Sequence, residues 1–318
     1  MLGTGIACII CVAQAEDYPS RAITMVVPFA PGGVYDTLGR VYGAAMGNIL
    51  GQQVIVENVP GAGGMTGATR VMRADADGYQ FLFGGESPNT QAQLMHKDPP
   101  YDGARDFAAV TLVAEQPLIL TVRKGIPAAN LSEFIAYAQA NQAKMQYGSP
   151  GTGTGSHLAC ALFNVAAKIS ITHVPYRGLG PAMQDLLAGR IDFMCPSITT
   201  AMAQIGGGLI EAPVVLGSNR STAFPNIPAA REQGMAGMDA NSWNAIFLPK
   251  TTPGPVVARL NAAAISAMDT PSVQQRMGEL GASLPPSTHR TPQYLQTFVE
   301  SEIRTWGAAV KAAGITAE

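Results

Sequence analysis

Short apolar runs alternate along this chain with longer stretches in which apolar residues recur at helical spacing, the pattern of α/β units. Residues 23–27 form a continuous apolar-rich run and predict a strand. Over residues 34–50, Val34, Leu38, Val41, Ala45 and Ile49 fall on one face of a helix. The same reading predicts strands at 54–56, 79–83 and near 110–114, with a short helix over 66–73. A second α/β run begins with a strand at 118–122. It continues through helices at 132–141, 157–167 and 181–188 and strands at 145–147, 169–174, 191–195 and 214–216. Asn130 with Glu133 three residues on resembles a capping box for the first of these helices. An isolated strand follows at 243–248, and then helices at 256–268, 272–280 and 292–312, the last with Thr291 as N-cap and Pro292 in its first turn. No further strands follow for these helices to cover, so they are expected to pack back on the first sheet. The expected organisation is a first lobe of residues 16–120 plus 241–318 and a second of 121–240, the chain crossing near Leu120 and Ala240.

A length of 318 residues suits two domains. Charged residues make up 13%, about half the usual share, and a net charge of −2 offers no attraction to nucleic acid. The apolar run 6–12 followed by Ala13, Gln14 and Ala15 reads as an export signal over residues 1–15, and places the mature chain in the periplasm. No Lys or Arg precedes Ile6, so either the signal is atypical or the start lies upstream. The run is far short of the ~20 residues that span a membrane. Past the signal only Cys160 and Cys195 remain. They are read as two buried thiols; an oxidising compartment would let them pair if the fold brought them together. The four histidines are far apart and lack metal-ligand spacing, so no metal is expected.

Candidate chemistry sits in two glycine loops, each between a predicted strand and a predicted helix. The first contains Phe29, Ala30, Gly32 and Gly33; the second runs over residues 149–156 and contains Ser149, Thr152, Gly153 and Thr154. Glycine lets a ligand approach the backbone, and a helix start offers unpaired N–H groups with partial positive charge, so each loop is a candidate anion site or simply a tight turn. The second loop is neither a G-x-G-x-x-G fingerprint nor a P-loop, and no cofactor is expected. Asp36 in the first helical turn reads as a cap or as the partner of a ligand amino group. Arg177 could fork onto a carboxylate. Glu86 and Ser87 sit just past a predicted strand, where α/β folds place ligand contacts. No G-x-S-x-G elbow or paired carboxylates occur in the loops, and Ser156 and His157, adjacent at a helix start, do not face each other, so an enzyme is the weaker reading.

An ordered series of motifs resembles the Bug-type periplasmic substrate-binding proteins of tripartite tricarboxylate transporters. They are YPSR at 18–21, VVPFAPGGVYD at 26–36, VENVPGAGG at 56–64, DGY at 77–79, GSPGTGTGSHL at 148–158, HVPYRG at 173–178, DLLAGRID at 185–192, FPNIP at 224–228 and SW at 242–243. The resemblance implies a two-lobed type II periplasmic-binding fold of mixed, mostly parallel sheets, with a hinged cleft that takes a small carboxylate. It implies a monomer that serves membrane transporter subunits. A ligand sensor feeding a signalling receptor is the alternative that shares the same pocket. Carried over residue by residue, it points to Phe29, Ala30, Gly32, Gly33 and Asp36, to Ser149, Thr152, Gly153, Thr154 and His157, and to Tyr176, Arg177 and Ser197. The chain departs from the family at Met65, at Ala229, in the stretch 204–210, which lacks a common basic residue, and at Tyr35, which would favour an aromatic or smaller ligand if it points into the cleft.

Overall fold

The computed structural model describes residues 18–217, 219–235 and 238–312. The expected signal, residues 1–15, lies outside them. The first sheet opens with β1 (Ile23–Val27), which runs into α1 (Val34–Leu50), β2 (Val54–Asn58), α2 (Met65–Met72) and β3 (Gln80–Gly85). Ile23, Met25, Val26 and Val27 are all buried, because helices cover both faces of the sheet; this is why β1 reads as a continuous run and not an alternating one. A π-helical turn at Ser87–Gln91 and the short α3 (Ala92–Leu94) follow, where the sequence reading assigned no element. β4 (Phe107–Pro117) closes this part of the chain.

The second sheet is threaded by β5 (Ile119–Arg123), α4 (Leu131–Asn141), β6 (Gln146–Ser149), α5 (Gly155–Ala167), β7 (Thr172–Pro175), α6 (Leu179–Leu187), β8 (Phe193–Met194), α7 (Ile198–Gly206) and β9 (Ile210–Val215). α7 has no counterpart in the sequence reading, and β8 is shorter than expected. The chain then returns through β10 (Asn241–Pro249) to α8 (Gly254–Met268), α9 (Pro271–Glu279) and α10 (Pro292–Ala312). α8 packs on α1 and β4, and α10 on β4.

The strand orders are β2-β1-β3-β10-β4 and β7-β6-β8-β5-β9. Each sheet is mixed. β1 is parallel to β2 and β3, and β6 to β7 and β8, whereas β10 and β5 are antiparallel to both of their neighbours. The chain passes between sheets twice, and the crossings lie side by side. Leu118 N–H donates to the Ala240 carbonyl at 3.0 Å, and the Leu118 carbonyl accepts from Leu216 N–H at 2.8 Å.

Cys160 and Cys195 correct the expectation of free thiols: they form a disulfide, with Cα atoms 5.5 Å apart. Cys160 lies on the sheet-facing side of α5, and Cys195 directly follows β8, so the bond joins a helix to the strand end beneath it. A separation of 35 residues carries no information about this contact; only the packing of α5 on the second sheet supplies it.

Candidate functional site

The first loop is held by a carboxylate. Asp36 Oδ2 accepts from Gly32 N–H at 3.1 Å, and Oδ1 accepts from Asn58 Nδ2 at 3.0 Å and pairs with Arg40 at 2.8 Å. Burial opposes the charge, but the bonds from Arg40, Gly32 and Asn58 outweigh it and hold Asp36 below the ordinary aspartate pKa. Asn58 Nδ2 also donates to the Phe29 carbonyl at 2.9 Å. Asp36 thus shapes the loop and has its acceptors occupied within it.

The second loop is held by hydroxyls and imidazoles. Thr154 caps α5 by accepting from His157 N–H at 3.3 Å, and it donates to the Gly151 carbonyl at 2.7 Å. His157 Nδ1 accepts from Gly153 N–H at 3.2 Å. Ser149 Oγ accepts from Gly151 N–H at 3.1 Å and lies 2.6 Å from His173 Nε2. The His157 and His173 rings stack at 4.1 Å, with Tyr147 stacked on His173 at 4.9 Å. Burial pushes His157 down to about 4, and burial plus its neighbour pushes His173 down to about 3, so both are neutral near pH 7. Ser149 and His157 are therefore builders of the loop.

The glycines of these loops face the opposite lobe. Gly32, at φ +89°, approaches Gly180 Cα; a Cβ on Gly32 would stand 3.6 Å from it. Ala30 N–H donates to the Arg177 carbonyl at 3.1 Å. A Cβ on Gly153 would lie 2.9 Å from Ala92 Cα, and one on Gly63 2.7 Å from the Thr152 carbonyl oxygen. Their lack of side chains lets the lobes touch.

Between the lobes is a narrow cavity of about 20 Å³. Phe29, Gly33, Val34, Tyr35, Glu86 and Ser87 line it from the first-sheet side, Pro150, Thr154, Gly155, Ser156, Leu179 and Ser197 from the other, and Leu118 and Ser242 at the crossings. Four helices begin here: α1 after Gly33, α5 after Thr154, α6 at Leu179 and α7 after Ser197. Each start presents N–H groups that lack intrahelical partners, together with partial positive charge. No lysine or arginine is among the lining residues.

Of the residues expected from sequence, Phe29, Gly33, Tyr35, Glu86, Ser87, Thr154 and Ser197 line the cavity. Ala30, Gly32, Thr152 and Gly153 belong to the contact between lobes, and Asp36, Ser149 and His157 to the loop frameworks. Tyr176 donates its hydroxyl to Asp185 at 2.7 Å, and Arg177 is exposed; only its backbone carbonyl serves the interface. Pro150, Gly155 and Ser156, also in the lining, belong to the loop at 149–156 that the sequence singled out, although they were not named as contacts. The sequence reading missed Val34, Leu118, Leu179 and Ser242; Leu118 and Ser242 flank the two crossings, so a signal existed for these two.

Glu86 is the one carboxylic acid among the lining residues. The residue is 4% exposed, and its carboxyl accepts from Ser242 Oγ at 2.9 Å, Tyr35 OH at 3.1 Å and Trp243 N–H at 3.1 Å. Burial raises it to about 7 against the pull of those bonds, and burial and Glu86 together push the Tyr35 phenol well above its usual range. Ser156 Oγ, also on the wall, is buried without a hydrogen-bond partner.

Comparison with known proteins gives a consistent answer. Residues 38–315 match the model of the tripartite tricarboxylate transporter family receptor. A UPF0065 protein of Agrobacterium vitis, from the TAR-I ttuE-ttuC' intergenic region, is 36% identical over 95% of this chain and 88% of its own length. The structure of MatC from Rhodopseudomonas palustris with bound malate superposes with a TM-score of 0.89 at 38% identity, covering 92% of this chain and all of that one. The periplasmic binding protein BugD gives a TM-score of 0.92 at 34% identity over 95% of this chain and all of its own.

Proposed function

This chain belongs to the tripartite tricarboxylate transporter receptor family, and we propose from that premise that it captures a small carboxylate between its lobes and delivers it to membrane transporter subunits. The observation that carries the proposal is the convergence of four helix starts on a cavity with no lysine or arginine in its wall. Backbone N–H groups and helix dipoles satisfy a carboxylate without a buried cation. MatC, with its bound malate, is a relative whose ligand is of this class.

The paired crossings at Leu118 and Ala240 act in this reading as the hinge, and the glycines at 32, 63 and 153 let the lobes close over the ligand. The protein works as a monomer in the periplasm, a compartment in which the Cys160–Cys195 bond persists. It performs no chemistry on its ligand. Among the described residues the one serine–histidine hydrogen bond, Ser149 with His173, is outside the cavity lining, and Ser149 is fully buried. A thermal-shift screen of the mature protein against small carboxylates, sugars and cations tests the proposal, since a ligand bound only by the folded state raises the melting temperature. Carboxylates are expected to stabilise; stabilisation by sugars or cations alone would overturn it.

A further inference from the structure

The cavity wall holds one ionisable side chain for which carboxylate capture alone provides no role. Glu86 directly follows β3, and its three hydrogen bonds have a polarity imposed from outside. Trp243 N–H can only donate. The Tyr35 hydroxyl accepts from Ser87 N–H at 3.4 Å, and the Ser242 hydroxyl from Gln116 Nε2 at 3.0 Å, so each turns its own proton to Glu86. Three protons aimed at one carboxyl favour its ionised form. Yet among the described residues no lysine, arginine or histidine forms an ion pair with it. The contrast is Asp36, whose charge is met by Arg40 at 2.8 Å. A charge on Glu86 is thus solvated by hydrogen bonds but not neutralised, an expensive arrangement in a buried site, and burial accordingly lifts the carboxyl to about 7, so that a cation arriving in the cavity would draw its proton off. Two further polar groups nearby are unsatisfied. The Gln91 side-chain amide is fully buried with no partner on either atom, and it lies with Glu86 against Gly155; Ser156 Oγ is the second.

We infer that Glu86 is a specificity-determining residue that receives a protonated amino group, so that the preferred ligand is a small carboxylate that also carries an ammonium. This rests on the carboxylate reading: the carboxylate end faces the helix starts, and the ammonium end supplies the cation that Glu86 lacks. A ligand without the amine leaves that charge unpaired, and one with a second carboxylate sets like charge against it.

The test is calorimetric titration of matched pairs that differ only in the amine: L-aspartate and succinate, L-glutamate and glutarate, γ-aminobutyrate and butyrate. The wild-type protein is expected to bind the amino member of its best pair at least tenfold more tightly. In Glu86→Gln that ratio falls towards one. The wild-type comparison stands even if the variant fails to fold. Should a carboxylate without an amine, malate included, bind more tightly than every amino member, the inference falls and the carboxylate reading survives. Should the preference persist in Glu86→Gln, the role of Glu86 falls. If no acid of either kind binds, both fall together.

Discussion

The two loops that face each other across the cavity present the same chemistry, the start of a helix, on different frameworks. The first is organised by an ionised carboxylate with a cation of its own: Asp36, Arg40 and Asn58. The second is organised by neutral groups, the stacked His157 and His173 with Ser149 and Thr154, and its helix is tied to β8 through Cys160–Cys195. In the proposed function, anion binding depends on the helix starts and not on any one way of holding them. The two frameworks should therefore fail under different conditions.

The largest difference is expected between the glycines of the two loops. Gly153 is at φ +75° and its Cβ would meet Ala92 Cα at 2.9 Å, so Gly153→Val strains the backbone and blocks the approach of the lobes. It is expected to weaken binding by ~100-fold or more, the backbone strain alone costing about 1–2 kcal/mol of stability; ligand titration with a parallel thermal melt reads both. Gly33 is at φ −96°, and a Cβ there would sit 3.5 Å from Leu179 Cβ, an ordinary contact.

Breaking the disulfide acts on the second framework alone. Cys160→Ala with Cys195→Ala is expected to cost about 3 kcal/mol in denaturant unfolding. Binding should also loosen, because Cys195 stands two residues before Ser197, the cap of α7. A double variant as stable as the wild type would contradict this.

Acid should separate the loops next. His157 and His173 have pKa values depressed in the fold to about 4 and about 3, from an ordinary value of 6.5. The unfolded chain therefore binds more protons between these limits. The stability these residues contribute is complete above pH 6.5 and is lost as pH falls towards 4 and 3, on the order of 1–3 kcal/mol. Asp36 is also depressed, but from an aspartate value of 3.8, so its contribution persists until pH falls below that range. Glu86, raised to about 7, contributes with the opposite sign in the same window, so the histidine contribution is read as a difference: melting temperature should fall less below about pH 6.5 in His157→Gln than in the wild type. The smallest effect is expected for Gly33→Ala, with stability changed by about 0.5 kcal/mol or less in the same melt.

Much of the fold was legible because local pattern and tertiary environment agree. The run at 23–27 is a strand buried on both faces, and Asn130 caps α4 by accepting from Glu133 N–H at 3.0 Å. Glu133 reaches back to Ala129 N–H, one residue before the expected partner. The final helix begins as its cap implies, with Tyr294 N–H on Thr291 Oγ1 at 3.1 Å. The site was legible only in part. Both glycine loops stood out, and the resemblance reached Tyr176 and Arg177 ahead of α6 and Ser197 ahead of α7, but α7 itself was not expected, and so the convergence of four helix starts went unseen. Asp36 and Arg177 look like ligand partners in one dimension, yet one is engaged by Arg40 and the other is turned to solvent. The environment of Glu86 is assembled from Tyr35, Ser242 and Trp243, residues 51, 156 and 157 positions away, and no local pattern encodes it.

The central claim is that backbone at converging helix starts recognises a carboxylate. Calorimetric titration of the wild-type protein with the best-binding acid and with its primary amide tests it most directly. The acid is expected to bind at least tenfold more tightly, because only the anion gains from the N–H groups and dipoles that meet in the cavity. Equal binding of acid and amide, or tighter binding of the amide, would contradict the account.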